Sequence, residues 1–246
     1  MTDCIRIDKL CVARGGRDVI HGLDLEIPPG EVTALLGANG AGKSSLVLAI
    51  AGALPASSGS IRVNGASIAG MRPENVRRLG VAAVPEGHHV LGDLSVLDNL
   101  RVAGHHLPGA KREAGIEAAL ATFPELRAKL AQRAGSLSGG QQQMVVLAQA
   151  IVERPRYILA DELSFGLAPV VVARLVPVIT QLASEGVGVL LIEQFTHIAL
   201  RVAAKVCVME RGRLRFFGAP DELRRNPEIL HSAYLAASQP TSAREH

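Results

Sequence analysis

The pattern at residues 37–45 limits the possible folds more strongly than any other part of the sequence. These residues read G-A-N-G-A-G-K-S-S and match G-x-x-x-x-G-K-[ST] in full. An apolar run at residues 32–36 precedes them, and residues 43–51 read as a helix. A glycine-rich turn between a buried strand and a helix points successive backbone N–H groups at phosphate oxygens. The sequence therefore predicts a phosphate-binding loop in an α/β fold.

The positions of this loop have distinct expected roles. Gly37, Gly40 and Gly42 let the backbone curve around phosphate groups. Lys43 is expected to reach the β- and γ-phosphates as a catalytic group, and the Ser44 hydroxyl is expected to ligate Mg²⁺. A dinucleotide-binding fingerprint fits less well, because position 39 holds asparagine where that fingerprint needs glycine. We expect the nucleotide to contact the whole loop: Gly37, Ala38, Asn39, Gly40, Ala41, Gly42, Lys43, Ser44 and Ser45.

Two carboxylates follow a second short apolar run. Residues 157–160 read Y-I-L-A, and Asp161 and Glu162 come next. A buried strand that delivers Asp161 at its end can hold Mg²⁺ directly or through water, and Glu162 can polarise an attacking water molecule. Taken alone, the segment is better explained as an ordinary strand that ends in surface acids. The phosphate-binding loop in the same chain favours the metal and water roles.

Residues 137–141 read L-S-G-G-Q, and we refer to them as the LSGGQ segment. The Ser138 hydroxyl and the N–H groups of Gly139 and Gly140, at a predicted helix start, form a small anion site that continues into Gln141. A flexible glycine loop is the alternative for this segment alone. The phosphate-binding loop, this segment and the Asp161–Glu162 pair follow one another along the chain. The three motifs in this order are much more specific than any one of them alone.

The pattern of apolar residues predicts strands, helices and the bounds of the domain. Strand-length apolar runs (61–63, 81–84, 157–160, 187–192) flank helix-spaced segments (94–106, 112–123, 144–152, 170–182), which predicts parallel βαβ units. We expect Val170 to Val172 to lie in the core. A single domain is predicted over residues 1–236, and the small polar residues 237–246 are predicted to be disordered.

Charge, cysteine content and hydropathy narrow the partners. A net charge of +3 is too small to predict a nucleic-acid partner, and three cysteines without a C-x-x-C pair predict neither a disulfide scaffold nor a zinc site. Residues 1–30 hold no signal-peptide core, and no apolar run approaches the roughly 18 residues of a membrane span. A cytoplasmic location is expected. The mean hydropathy of +0.24 suggests apolar surface that meets a partner.

With these motifs, the chain resembles the ATP-binding subunits of ABC transporters from about residue 4 to residue 236. The resemblance implies a P-loop NTPase core with a mostly parallel sheet, an N-terminal antiparallel β subdomain and an inserted α-helical subdomain at about residues 87–153. It implies ATP and Mg²⁺ as cofactors. It also implies a second cassette, since in this family each ATP lies between the phosphate-binding loop of one subunit and the LSGGQ segment of the other.

Finer marks resemble those of the branched-chain amino acid uptake group, and specifically the smaller of its two ATPases. V-P-E-G at residues 84–87 puts Glu86 in the loop that in the family senses Mg²⁺ and contacts the membrane subunits. I-E-Q at 192–194 puts Gln194 where most members have the histidine that contacts the γ-phosphate. G-L-A-P at 166–169 and S-A-Y-L at 232–235 also match. Arg14 stands where an aromatic residue normally stacks on adenine, and Leu163 where proline is usual.

The resemblance implies ATP hydrolysis that powers a membrane importer. The expected partners are a second ATPase, two integral membrane permease subunits and, indirectly, an external solute-binding protein, with this chain peripheral on the cytoplasmic face of the membrane. Urea and amide importers share the same marks. A soluble ABC ATPase of cofactor assembly is a further alternative. A regulatory subunit that binds ATP without useful hydrolysis is favoured by Arg14, Leu163 and Gln194 but disfavoured by the intact Glu162.

Overall fold

Two β-sheets and their surrounding helices make up the described residues, 3–87 and 89–235, of the computed structural model. The strands are β1 (Ile5–Arg14), β2 (Arg17–Ile27), β3 (Val32–Leu36), β4 (Ser58–Val63), β5 (Ala66–Ser67), β6 (Val81–Val84), β7 (Tyr157–Asp161), β8 (Gly188–Ile192), β9 (Lys205–Glu210) and β10 (Arg213–Gly218). The helices are α1 (Lys43–Ile50), α2 (Pro73–Arg78), α3 (Val96–Ala103), α4 (Gly109–Thr122), α5 (Gly139–Val152), α6 (Pro169–Ser184), α7 (Thr196–Val202), α8 (Pro220–Arg225) and α9 (Pro227–Leu235). Short 3₁₀ helices cover Pro124–Lys129 and Ala134–Ser136.

The larger sheet has the strand order β10-β9-β3-β8-β7-β6, and only β10 runs antiparallel to its neighbour. Every residue of β3, β7 and β8 is buried, as expected where helices cover both faces of a parallel sheet. The carboxyl ends of parallel strands share one edge of the sheet, and ligands bind at that edge in such folds. The residues that follow β3, β7 and β8 are therefore brought together there.

The smaller sheet has the order β2-β1-β4-β5 and is antiparallel throughout. One apolar core lies between this sheet, α1 and one face of the larger sheet, and it includes Ile7, Leu46 and Leu190. A second core, on the opposite face, joins α3, α4, α5 and α6 and includes Leu100, Leu147 and Leu182. The predicted fold class is confirmed: a mostly parallel core, an N-terminal antiparallel sheet and a helical segment between β6 and β7.

Two helices begin or end at residues other than the predicted ones. The helix expected at 94–106 covers only Val96–Ala103, because Ser95 accepts a hydrogen bond from Asp98 N and so begins the helix, and Gly104 ends it. The helix expected at 144–152 begins earlier, at Gly139. The other predicted helices and strands agree with the structure to within a few residues. The predicted disordered tail, 237–246, lies outside the described residues.

The prediction that Val170 lies in the core is wrong. Its side chain is 76% exposed. The buried face of α6 is formed further along the helix, by Leu175, Val178, Ile179 and Leu182. A run of three valines carries no helical period, so the sequence did not show which side faces the core.

Among the described residues, no helix is both long and apolar enough to span a membrane.

Glu153, directly after α5, is a buried carboxyl group. Its side chain is 7% exposed, and its Oε1 lies 3.3 Å from Nε of Arg77. Burial raises the pKa of Glu153 to about 7, although Arg77 and His105 act in the opposite direction. The folded chain therefore binds this proton more tightly than the unfolded chain does, and the stability that this proton contributes is lost as the pH rises.

We expect Glu153→Gln to flatten the pH dependence of stability between about pH 4.5 and pH 7. Below this window both states hold the proton. As the pH rises through it, the unfolded chain loses this proton while the folded chain still holds it, so the wild type loses up to about 3 kcal/mol of stability at 1.36 kcal/mol per pKa unit. Urea unfolding at a series of pH values measures the difference, with exposed Glu117→Gln as the control. Parallel profiles for wild type and Glu153→Gln would contradict the assignment.

Candidate functional site

The phosphate-binding loop runs from the end of β3 to the start of α1. Gly37, Gly40 and Gly42 have φ angles of 152°, 79° and 107°. A Cβ atom on Gly37 would lie 2.3 Å from the Met209 carbonyl oxygen, and one on Gly42 would lie 2.7 Å from the Val19 carbonyl oxygen. Glycine is therefore required at both positions. Among the described residues no side chain caps α1, so its first N–H groups remain available to an anion.

Lys43 lies within this loop with only 4% of its surface exposed. Its Nζ donates hydrogen bonds to the carbonyl oxygens of Gly37, at 2.8 Å, and Ala38, at 3.2 Å. Burial lowers the pKa of Lys43, and the carboxylates of Glu162, Asp161 and Glu86 partly restore it. The loop thus holds a cation folded back on its own carbonyl groups, opposite a cluster of acids.

Asp161 ends β7 beside the first turn of α1. Its carboxylate forms a hydrogen bond with the Ser44 hydroxyl, and burial raises its pKa, with Glu162 and Glu86 adding to that rise. Its Oδ1 is buried and finds no hydrogen-bond partner among the described residues. A buried carboxylate oxygen of this kind is costly unless a cation binds it. The pair of Ser44 and Asp161 therefore fits Mg²⁺, which prefers oxygen ligands.

Within the described residues, no group of three or more histidine, cysteine or acidic side chains is placed to form a metal cage. Mg²⁺ commonly takes one or two protein oxygens and completes its shell with water and substrate phosphates. Glu86 is exposed and lines the same cleft. The donor set accordingly suits an ion that arrives with a phosphate ligand.

Glu162 stands next to Asp161 in a left-handed backbone conformation, with φ 51°. Such a conformation costs a non-glycine residue about 1–3 kcal/mol and persists where neighbours impose it. Here the Glu162 N–H donates to the Ile192 carbonyl at 2.9 Å. Gln194 Nε2 lies 2.8 Å from each carboxylate oxygen of Glu162 and 3.0 Å from Oδ1 of Asn39. Gln194 thereby links the carboxylate to the phosphate-binding loop.

Glu193 is a further buried carboxyl group next to Gln194. The Ser164 hydroxyl donates a hydrogen bond to its Oε2. Burial raises the pKa of Glu193 to about 7, and the hydrogen bonds with Ser164 act against that rise. This contact joins the turn after β7 to the turn after β8. Sequence reasoning missed it, although an acid directly after the apolar run of β8 was a usable signal.

Ten of the predicted residues line an open cleft with a volume of about 440 Å³, and Gly37 and Asp161 are not among the residues that line it. Val19 and Phe165 line it too and were not predicted. Val19 belongs to an ordinary alternating strand and carried no signal, whereas Phe165 is an aromatic residue directly after the acidic pair, Leu163 and Ser164, in a chain with only five phenylalanines. Ala38 and Ala41 lie buried within the loop itself. The predicted residues around the cleft are Arg14, Asn39, Gly40, Gly42, Lys43, Ser44, Ser45, Glu86, Glu162 and Gln194.

The LSGGQ segment is not among the residues that line this cleft. Its Ser138 begins α5: the Ser138 Oγ accepts from Gln141 N at 3.4 Å, and Gln141 Oε1 accepts from Ser138 N at 3.2 Å. Ser138 is exposed, and Gly139 and Gly140 form the first turn of the helix. The segment therefore presents a helix N-terminus to the outside of the chain rather than to its own cleft.

A family model described as "ABC transporter" matches residues 20–164, which include the phosphate-binding loop, the LSGGQ segment and the acidic pair. The chain belongs to the ABC transporter family. This family assignment agrees with the geometry, since the cleft holds the loop and the acids while the LSGGQ segment faces outward. The resemblance stated from the sequence is confirmed.

Relatives of this ABC cassette extend the match over nearly its whole length. It is 37% identical, over 94% of the chain and 99% of the relative, to the high-affinity branched-chain amino acid transport ATP-binding protein BraG of Pseudomonas aeruginosa. It is 33% identical, over 89% and 93%, to a probable branched-chain amino acid transport ATP-binding protein LivF of Archaeoglobus fulgidus. A solved ATP-binding subunit of an ABC transporter superposes with a TM-score of 0.82 at 26% identity, covering 96% and 100% of the two chains.

Proposed function

We propose that this cassette hydrolyses ATP to power an importer of branched-chain amino acids. The observation that carries the proposal is the Glu162 carboxylate, held by Gln194 at the same cleft as Lys43 and Ser44, with Asp161 next to Ser44. The similarity to BraG and LivF over almost the whole chain supports the solute class. A subunit that only binds ATP would not need this acid in a strained backbone conformation.

ATP binds through its phosphates in the proposed mechanism. The N–H groups of the loop and the Lys43 ammonium hold the β- and γ-phosphates. Ser44 and Asp161, and in our prediction Glu86, would hold Mg²⁺, which would supply positive charge to the phosphate oxygens. Arg14 is exposed at the part of the cleft formed by the antiparallel sheet, where its planar guanidinium can stack on a base.

Glu162 orients the attacking water and accepts its proton as the γ-phosphoryl group is transferred. The Gln194 amide nitrogen has two hydrogens and lies near three acceptor oxygens, two on Glu162 and one on Asn39. One acceptor is therefore always left with a weaker bond. A γ-phosphate oxygen competes for the same two hydrogens, so Gln194 can register whether the nucleotide is present.

A second cassette completes the site in this proposal. Ser138 is exposed away from the cleft of its own chain, so the N-terminus of α5 that it begins can face the ATP of a partner. Phe165, 54% exposed at the cleft, and Val170, 76% exposed at the start of α6, offer apolar surface for that contact. Two membrane permease subunits and, indirectly, a solute-binding protein would complete the importer, with this chain on the cytoplasmic face.

Affinity purification of this chain from detergent-solubilised native membranes, with mass spectrometry of what accompanies it, tests the proposal. We expect two polytopic membrane proteins and a second ABC ATPase. Loss of leucine uptake in cells lacking the chain, with urea uptake unchanged, separates the branched-chain amino acids from urea and amides. Recovery of soluble partners only, with the chain absent from membranes, would overturn the proposal in favour of a cofactor-assembly or regulatory ATPase.

A further inference from the structure

The last helix of the described chain reaches the nucleotide site through a single hydroxyl group. Tyr234, near the end of α9, donates a hydrogen bond from its OH to the carbonyl oxygen of Gln194 at 3.4 Å. The Thr196 side chain and the backbone of Gly37 lie beside the same hydroxyl and act on its pKa as hydrogen-bonding groups. One phenol group therefore touches the residues after β8 and the first residue of the phosphate-binding loop.

Packing places Tyr234 there. The preceding Ala233 is 1% exposed and belongs to a cluster with Leu36 of β3, Ala199 of α7 and Val208 of β9. Helix α9 is thus held against β3, α7 and β9 by apolar contacts that do not involve the phenol oxygen. Removal of that oxygen alone should leave the helix in place.

The segment that carries Gln194 is restrained on one side by the hydrogen bond from Ser164 to Glu193 and on the other by Tyr234. It connects the end of β8 with the start of α7, and within the described residues no side chain caps α7 at its first residue. The Gln194 backbone carbonyl accepts from Tyr234, while the Gln194 amide holds both carboxylate oxygens of Glu162. A hydrogen bond that fixes the backbone of Gln194 also fixes the position of its side-chain amide, and this amide holds the Glu162 carboxylate.

We propose that Tyr234 is a positioning residue for hydrolysis, whose hydroxyl fixes the backbone of Gln194 against Gly37 and thereby aligns Glu162. This inference rests on the proposed ATPase function and adds a residue to it. The C-terminal helix becomes part of the hydrolytic machinery, and a displacement of α9 by a partner would change turnover without touching the nucleotide.

The phenol is suited to this role at neutral pH. Burial raises the pKa of Tyr234, and the charges of Glu162 and Glu193 raise it further, against the opposing hydrogen bonds with Thr196 and Gly37. The group therefore stays protonated and remains a donor. An ionised phenol would instead repel the Gln194 carbonyl.

Tyr234→Phe tests the proposal, and the chain supplies a matched control. Its other tyrosine, Tyr157, donates to Oδ1 of Asn64 at 2.7 Å, outside the nucleotide cleft. We expect Tyr234→Phe to lower kcat for ATP about fivefold, the worth of one ordinary hydrogen bond, with KM changed less than about twofold and the melting temperature kept. Tyr157→Phe should lower the melting temperature and keep kcat. Unchanged kcat in Tyr234→Phe would overturn the proposal.

A double-mutant cycle separates positioning through Gln194 from a general loosening of the fold. In a Gln194→Ala background there is no amide to align, so Tyr234→Phe should reduce kcat no further. Independent effects, in which the two losses multiply, would contradict the proposed coupling. If the wild-type chain itself hydrolyses no ATP, the proposed function fails, and the next measurement still decides the role of Tyr234.

Tyrosine fluorescence supplies that measurement, because the chain has no tryptophan and two tyrosines. In the Tyr157→Phe chain, emission reports on Tyr234 alone. We expect Mg²⁺ and ATP to change this emission, because the nucleotide engages Gly37 and Gln194 on either side of the phenol. The Gln194→Ala exchange should reduce the change. Emission that stays constant while ATP binding is demonstrated separately would overturn the inference.

Discussion

Glu162→Gln should bind ATP as tightly as the wild-type chain and hydrolyse it at least about a hundredfold more slowly, as expected when a general base is lost. The exchange keeps the size of the side chain and removes its charge. The Gln194 amide then faces the glutamine at position 162 instead of a carboxylate, and water loses its proton acceptor. The phosphate contacts of Lys43 and the loop are untouched, so binding energy is retained.

Single-turnover ATPase measurements and equilibrium binding of ATP check this expectation separately. Glu185→Gln is the matched control, because Glu185 is an exposed acid at the end of α6 whose side chain accepts a hydrogen bond from Gln181, one helix turn earlier. It should leave both quantities unchanged. Near-normal turnover in Glu162→Gln would refute the assignment of the base, whereas loss of ATP binding would show that the acid acts in binding.

Most residues of the cleft could be predicted from the sequence because they belong to short local motifs. The loop at residues 37–45 and the acids at 161 and 162 each follow a buried strand, and parallel strands bring such residues to one edge of a sheet. The helical segment and the antiparallel sheet were implied by the family resemblance. The structure then places the loop, Glu162 and Gln194 around one cleft, as the predicted roles require.

Contacts between segments that are distant in the sequence could not be predicted from it. The sheet order places β8 between β3 and β7, which is not the order of the sequence, and this is why Gln194 lies between Asn39 and Glu162. Tyr234 was noted only as part of a family pattern, because nothing local shows that α9 crosses back to the loop. Val170 was misplaced for the same reason: burial depends on the neighbour that a helix meets.

Lys43→Met should weaken ATP binding by about a hundredfold, since hydrogen bonds to charged groups contribute about 1.5–3 kcal/mol and a factor of ten corresponds to about 1.4 kcal/mol. The exchange keeps an unbranched side chain, shorter by one atom, and removes the ammonium group. Binding is best measured in the Glu162→Gln background, where ATP is not consumed. Lys111→Met, at an exposed position in α4, is the control and should bind normally.

The fold of the Lys43→Met chain should survive, because two effects on stability oppose each other. The carbonyl oxygens of Gly37 and Ala38 lose their donor, which costs stability. A buried ammonium group is also removed, and the lowered pKa of Lys43 shows that its burial is unfavourable to the charge. Retained circular dichroism together with lost ATP binding would assign Lys43 to the nucleotide, whereas ATP binding at wild-type strength would remove it from the site.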